Sequence, residues 1–184
     1  MRAPSGHMTA PAVQAVLTDG ALVGDWVLDQ RKSSIRLKNK SMWGLVRVNG
    51  VFREVSGNGT VSPDGQVSGI VTIAAASIDT GQTRRDTHLR SADFFDSGNN
   101  PDITFTANGI RPSVQGVAVT GVLTVRGRTR PLSFEAAASV QGDVEIWLDA
   151  EVPINRADFG LTWNLMGMIS MTNTLTIHAV FTRR

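Results

Sequence analysis

A chain of 184 residues is the size of a single barrel or sandwich domain, and 41% hydrophobic residues supply enough apolar material for a real core. The charged fraction of 18% is too low for a disordered or coiled-coil chain, and a net charge of +2 with no long basic run leaves little footprint for nucleic acid. The absence of cysteine excludes disulfides, thiolate metal sites and cysteine nucleophiles, while His7, His88 and His178 stand far apart without carboxylates at metal-ligand spacing, so no metal site is expected.

Residues 1–23 read as a flexible leader or tag remnant, and Ser5-Gly6-His7-Met8 has the look of a cloning scar. Arg2 is followed by Ala10 to Leu17, but Pro11 and Gln14 interrupt any sustained apolar run, so a secretory signal is not expected. No stretch approaches the ~20 apolar residues that span a bilayer. The expected location is therefore cytoplasmic, with an exported mature form as the alternative.

From residue 24 to 184 the pattern is that of one domain with period two. Trp26-Val27-Leu28 opens a strand, Ser34 to Lys38 alternates, and Leu45 to Val55 follows with Gly50 as a bend. Asn58-Gly59 and Asp64-Gly65 signal tight turns around a strand at Thr60-Val61-Ser62, and Gln66 to Ser77 is the next strand. Thr83 to Ser91 is the one short helix expected, capped by Thr83 with Asp86 in its first turn. Ile103, Phe105 and Ala107 then share a strand face, ahead of a turn near Arg111-Pro112. Val117 to Val125, Leu132 to Val140, Val144 to Ile154 and Met171 to Phe181 each place apolar residues at every second position. About eight strands with one helix predict an all-β sandwich or barrel, and the strand glycines Gly50, Gly69 and Gly121 favour the curl of a barrel.

Three segments carry candidate chemistry. Asp86 and His88 are the materials of a general-base pair, with Ser77 or Ser91 as nucleophile, and a hydrolase-like enzyme is the alternative function they would support. Residues two apart on a helix do not face each other, however, and there is no Gly-x-Ser-x-Gly elbow. The structural alternative has Asp86 and Arg85 fixing the helix to the barrel end. Arg156 is either a binder of an anionic or carbonyl headgroup or a corner lock paired with Asp158 or Asp86. Leu161 to Met171 holds Trp163, Met166, Met168 and Met171, adaptable apolar side chains suited to a ligand mouth or a homodimer contact, with Met42-Trp43 as a lid.

Five motifs in order are more specific than any one of them. They are Trp26-x-Leu28-Asp29 with Ser33-Ser34-Ile35, Met42-Trp43-Gly44 and Val48-x-Gly50-x-Phe52; Ser77-Ile78-Asp79-Thr80-Gly81; Arg85-Asp86-x-His88-Leu89-Arg90-Ser91-x-Asp93-Phe94-Phe95-Asp96 leading to Pro101-x-Ile103-Thr104-Phe105; Gly121-x-Leu123-Thr124-Val125-x-Gly127-x-Thr129-x-Pro131; and Asn155-Arg156-x-Asp158-Phe159-Gly160-Leu161. Over residues 24–184 the chain resembles the YceI-like family of polyisoprenoid-binding proteins. The resemblance implies an eight-stranded antiparallel lipocalin-like barrel that holds a long isoprenoid chain, such as an isoprenoid quinone or a polyprenyl lipid, as ligand with no cofactor and no catalysis. Many members carry a Lys-His pair at the end of the second strand, where this chain has Lys38-Asn39-Lys40. The ligand-lining candidates are Trp43, Phe52, Ile73, Phe105, Leu123, Phe134, Ile146, Leu148, Phe159, Trp163, Met166, Met168 and Ile177. The run Phe134, Ala136, Ala138 and the small Ala74-Ala75-Ala76 are expected to leave space inside.

Overall fold

The computed structural model describes residues 8–184 apart from Met42, Trp43 and Asp143. Among them eleven strands form one sheet in which every pairing is antiparallel. They are β1 (Gly24–Leu28), β2 (Ser34–Ser41), β3 (Val46–Phe52), β4 (Val55–Val61), β5 (Val67–Ala74), β6 (Ile78–Asp79), β7 (Asp102–Ser113), β8 (Gly116–Val125), β9 (Arg128–Gln141), β10 (Glu145–Asn155) and β11 (Thr172–Arg183). Eight close on themselves in the order β1-β4-β5-β7-β8-β9-β10-β11, because β1 pairs with β4 on one edge and with residues 181–183 of β11 on the other. The twelve-residue β11 has length to spare, and residues 174–178 take β2 as a second partner on that edge. From this fork β2, β3 and β6 extend the wall.

Period-two alternation explains why these segments become strands. In β8, Val117, Val119, Leu123 and Val125 are buried while Thr120 between them is exposed. The stripe in β10 begins at Ile146, two residues later than its sequence suggests. Val144 stands exposed in the turn, and burial is deepest at Val152.

The two ends of the barrel are closed differently. At one end Phe95, Leu89 of helix α2 (Thr83–Arg90) and Phe159 and Leu161 of the loop after β10 pack with Phe52, Ile78 and Val125, with Ile78 wholly inaccessible. At the other end a second helix, α1 (Ala10–Thr18), lies over the opening with Val13 buried against Val117, Val119, Ala136 and Ala138. The single expected helix is thus two. The reason is visible in the sequence: Val13, Val16 and Leu17 recur at the three-four spacing of one helical face, and Pro11 sits in the first turn, where its missing N–H costs nothing. Nine residues make a marginal helix alone, so its docking supplies the stability. No helix among the described residues is long and apolar enough to cross a membrane.

Two expected turns are strand interior. Asn58-Gly59 lies inside β4, where Gly59 faces Gly69 of β5, and a Cβ on Gly69 would come within 2.7 Å of the Asn58 carbonyl oxygen. The glycines there permit close backbone approach rather than reversal. Pro112 continues β7 in register with Val117, and the reversal comes after Ser113. Asp64-Gly65 does turn, with Gly65 at φ 78° and its N–H donating to the Ser62 carbonyl.

Ile78 is expected to be the more expensive of two isoleucines to truncate. Ile78→Ala should lower unfolding stability by about 2–5 kcal/mol in urea titration. Ile146→Ala should cost distinctly less, because its side chain already faces empty space and has fewer partner atoms to lose.

Candidate ligand cavity

Inside the barrel lies a cavity of about 210 Å³, with an almost wholly apolar wall drawn from β1, β4, β5 and β7–β11, from Ile35 of β2, and from α1. It exists because small residues occupy inward positions: Ala107, Ala136, Ala138, Ala150 and Ala179 all line it. A branched side chain at any of these would fill the space. Gly121 serves packing instead, since a Cβ there would meet the Thr106 carbonyl oxygen at 2.3 Å and the Phe105 ring at 2.7 Å. Of the Ala74-Ala75-Ala76 run, Ala75 belongs to the packed end and none faces the cavity.

Seven of the sequence-derived lining candidates face this space: Ile73, Phe105, Leu123, Phe134, Ile146, Leu148 and Ile177. Phe105 and Phe134 pack ring to ring with centroids 5.6 Å apart. Phe52 and Phe159 are buried in the packed end outside it, Phe52 edge-on to Phe95. Trp163 lies over the same end, edge-on to His88 at 4.4 Å between ring centres and 5.5 Å from Phe94. Met166 is exposed and Met168 half-buried, both away from the wall, and Trp43 falls outside the described residues. The Met-rich loop therefore does not form the cavity mouth. Its place follows from β10, which carries the chain eleven residues from the α1 end before the loop begins.

Residues not anticipated complete the wall. Met8, Val13, Val16, Leu17 and Leu22 close the α1 end, and Trp26 presents its indole beside them with Nε1 donating to the Leu22 carbonyl at 2.9 Å. The Met8 N–H donates to the Ala138 carbonyl at 2.8 Å, extending the attachment beyond the helix.

Polar side chains with chemical potential are engaged elsewhere. Arg156, only 2% exposed, donates to the carbonyls of Leu161 at 2.6 Å, Trp163 at 2.8 Å and Ser170 at 3.0 Å, with Ile169 at 3.4 Å. It pairs with neither Asp158 nor Asp86; it stitches the loop to the barrel end through backbone oxygens. Burial lowers its pKa from the usual arginine range. Asp86 accepts from the Thr80 N–H at 3.0 Å and the Thr80 hydroxyl at 2.5 Å, whereas His88 Nε2 meets Asp93 at 3.2 Å. Ser77 and Ser91 donate to the Ala74 and His88 carbonyls. The base–nucleophile pair suggested by sequence is not assembled.

The profile of the YceI-like domain matches residues 26–181. The chain belongs to the YceI-like family. Protein YceI of Escherichia coli O6:H1 (strain CFT073) is 39% identical over 101 residues, and that of Shigella flexneri 38% over the same length. The chain spans about half the length of these relatives, 52% of each. Burkholderia cenocepacia BcnA superposes with a TM-score of 0.75 at 24% identity, over 83% of this chain and 98% of that one. A polyisoprenoid binding domain from Saccharophagus degradans, described as implicated in plant cell wall breakdown, superposes at 0.71 and 19% identity, over 86% and 98%. At these identities the structural likeness concerns the YceI-like fold. Helix α1 lies ahead of the matched segment. At the position where a family histidine was expected, Asn39 donates to the Ser170 carbonyl at 3.0 Å and to Asn173, tying β2 to the loop.

If α1 is the cover of the cavity, a charge on its buried face should lift it. Val13→Asp is expected to raise the fluorescence of an added hydrophobic dye while the far-UV β-signal is unchanged, since a carboxylate is not buried unpaired against alanine and valine. Unchanged dye binding in a folded variant would mean that α1 does not seal the space.

Proposed function

We propose that this protein is a non-enzymatic carrier that sequesters a long-chain isoprenoid lipid, of isoprenoid quinone or polyprenyl type, inside the barrel. The observation that carries this reading is the apolar cavity held open by five inward alanines. Membership of the YceI-like family and the description of the Saccharophagus degradans neighbour as a polyisoprenoid binding domain support it. Each buried methylene contributes about 0.8 kcal/mol, so a branched hydrocarbon tail binds an apolar tunnel without polar contacts and without a cofactor.

The volume sets a requirement. Pockets for drug-sized ligands commonly run to about 300–1,000 Å³, well above 210 Å³. A long tail therefore needs α1 to withdraw Val13, Val16 and Leu17 from the opening, or the flexible side chains of the wall to change rotamer. Either route leaves every barrel strand paired, and the first also widens the opening. Binding and cover are then coupled: whatever displaces α1 admits the tail.

An organic extract of the purified protein, read by mass spectrometry, should contain isoprenoid lipid. Added isoprenoid quinone should quench Trp26, which borders the cavity. Ala150→Phe, filling the cavity from β10, should weaken quinone binding at least about tenfold, as the loss of two or more buried methylenes requires. An empty extract together with no quenching, or an Ala150→Phe protein that binds as before, rules the carrier reading out.

A further inference from the structure

The rim of the barrel farthest from α1 carries a second, exterior feature. Exposed large apolar side chains are few, and four of the seven described ones are here: Leu45 at 82% exposure, Val46 at 40%, Met166 at 83% and Met171 at 37%. They come from two separate segments that the backbone stitches together. Val46 stands opposite Ser41, Ser41 bridges to Ile169, and the Ser170 N–H donates to the Lys40 carbonyl at 2.9 Å. Met166 is held at φ 52°, a left-handed conformation that a non-glycine residue rarely adopts, in the loop that Arg156 anchors from beneath. The outward methionine is thus a fixed feature of a firmly tied loop.

The two segments that bear these tips carry no carboxylate, and Asp93 nearby is turned to His88. Between Asp29 and Glu54 there are seven cations, Arg31, Lys32, Arg36, Lys38, Lys40, Arg47 and Arg53, and no acidic residue. Residues 159–182 contain no Asp, Glu, Lys or Arg at all. Lys32, Lys38 and Arg53 are occupied by Glu145, Glu151 and Asp79. Lys40 and Arg47, nearest the apolar tips, face each other directly across β2 and β3 and have no ion pair among the described residues. Two like charges placed opposite one another weaken a strand pair, so the sheet gains nothing from them.

We propose that this rim docks on an anionic phospholipid bilayer, with Leu45 and Met166 entering the headgroup region and Lys40 and Arg47 lying against lipid phosphates. Apolar side chains on protruding loops, with two unpaired cations beside Leu45 and Val46, match a surface that is negative outside and apolar just beneath. A protein partner would favour a broad, well-packed patch over two narrow projections. The inference does not depend on the barrel's cargo.

Co-sedimentation of the full chain with vesicles tests it. One set is phosphatidylcholine alone and the other phosphatidylcholine mixed with phosphatidylglycerol, neither containing isoprenoid. The protein should sediment with the mixed vesicles only, and less as salt rises. Neutralising both cations in Lys40→Gln/Arg47→Gln should lower partitioning roughly twenty-five-fold, about fivefold per charge. Leu45→Glu/Met166→Glu should abolish it, with thermal unfolding and Trp26 fluorescence unchanged, while Arg31→Gln, remote from the tips, should retain most of it. Failure to sediment with mixed vesicles at low salt overturns the proposal, as does equal binding to both sets or by either double variant. A dimer seen by sizing, dissolved by Leu45→Glu without any vesicle binding, would likewise overturn it and assign the rim to a second copy.

Discussion

Everything in this molecule depends on the closure of the barrel through β1. Five residues must pair with β4 on one edge and β11 on the other, and without them the sheet would present two open edges. Side chains reinforce the seam. The Arg183 guanidinium stacks over the Trp26 ring at 4.8 Å and donates to the Val23 carbonyl at 2.8 Å, while the Arg184 N–H reaches the Asp25 carbonyl at 3.0 Å. Trp26 thereby belongs both to the seam and to the cavity wall. Closure fixes the circumference, and the inward side chains then decide whether the interior is solid or hollow.

The two ends divide the work of sealing that interior. At the packed end a buried guanidinium, a buried carboxylate and a cluster of rings are each satisfied by fixed partners, and removing one would leave buried polar groups unpaired. At the α1 end the seal is a nine-residue helix with no side-chain N-cap and no charge in its first or last turn. Apolar contacts and the Met8 hydrogen bond hold it. The difference in attachment makes α1 the weaker of the two covers, because apolar contact is non-directional and is lost without leaving an unsatisfied group behind.

The strands are legible because each half-buried strand must alternate, and β8, β10 and β11 carry apolar residues at every second position along most of their length. The barrel ring was less so, since alternation marks an inner face without saying which strand lies beside which. Asn58-Gly59 misled because the same dipeptide serves a tight turn and a thin strand crossing, and only the facing Gly69 separates the two. Helix α1 was readable in the spacing of Val13, Val16 and Leu17, but a small, apolar, uncharged segment looks like a leader until a surface exists for it to cover. The seven expected positions that face the cavity follow from strand parity. Trp163, Met166 and Met168 are marked only by residue type, and type does not report which end of a barrel a loop occupies.

A wall with almost no polar group constrains what the carrier reading can mean. Each methylene in or out of the cavity changes binding by about 0.8 kcal/mol, roughly fourfold, so neighbouring chain lengths are only weakly resolved. A polar group drawn inside without a partner would cost a few kcal/mol or more, and this wall presents next to no polar surface to supply one. On the carrier reading, an apolar tail would therefore occupy the barrel and any headgroup would stay at the α1 end, the one end whose cover can yield without breaking a polar network. Discrimination between ligands then rests on α1 and the turns around it, and the barrel interior supplies affinity with little choice.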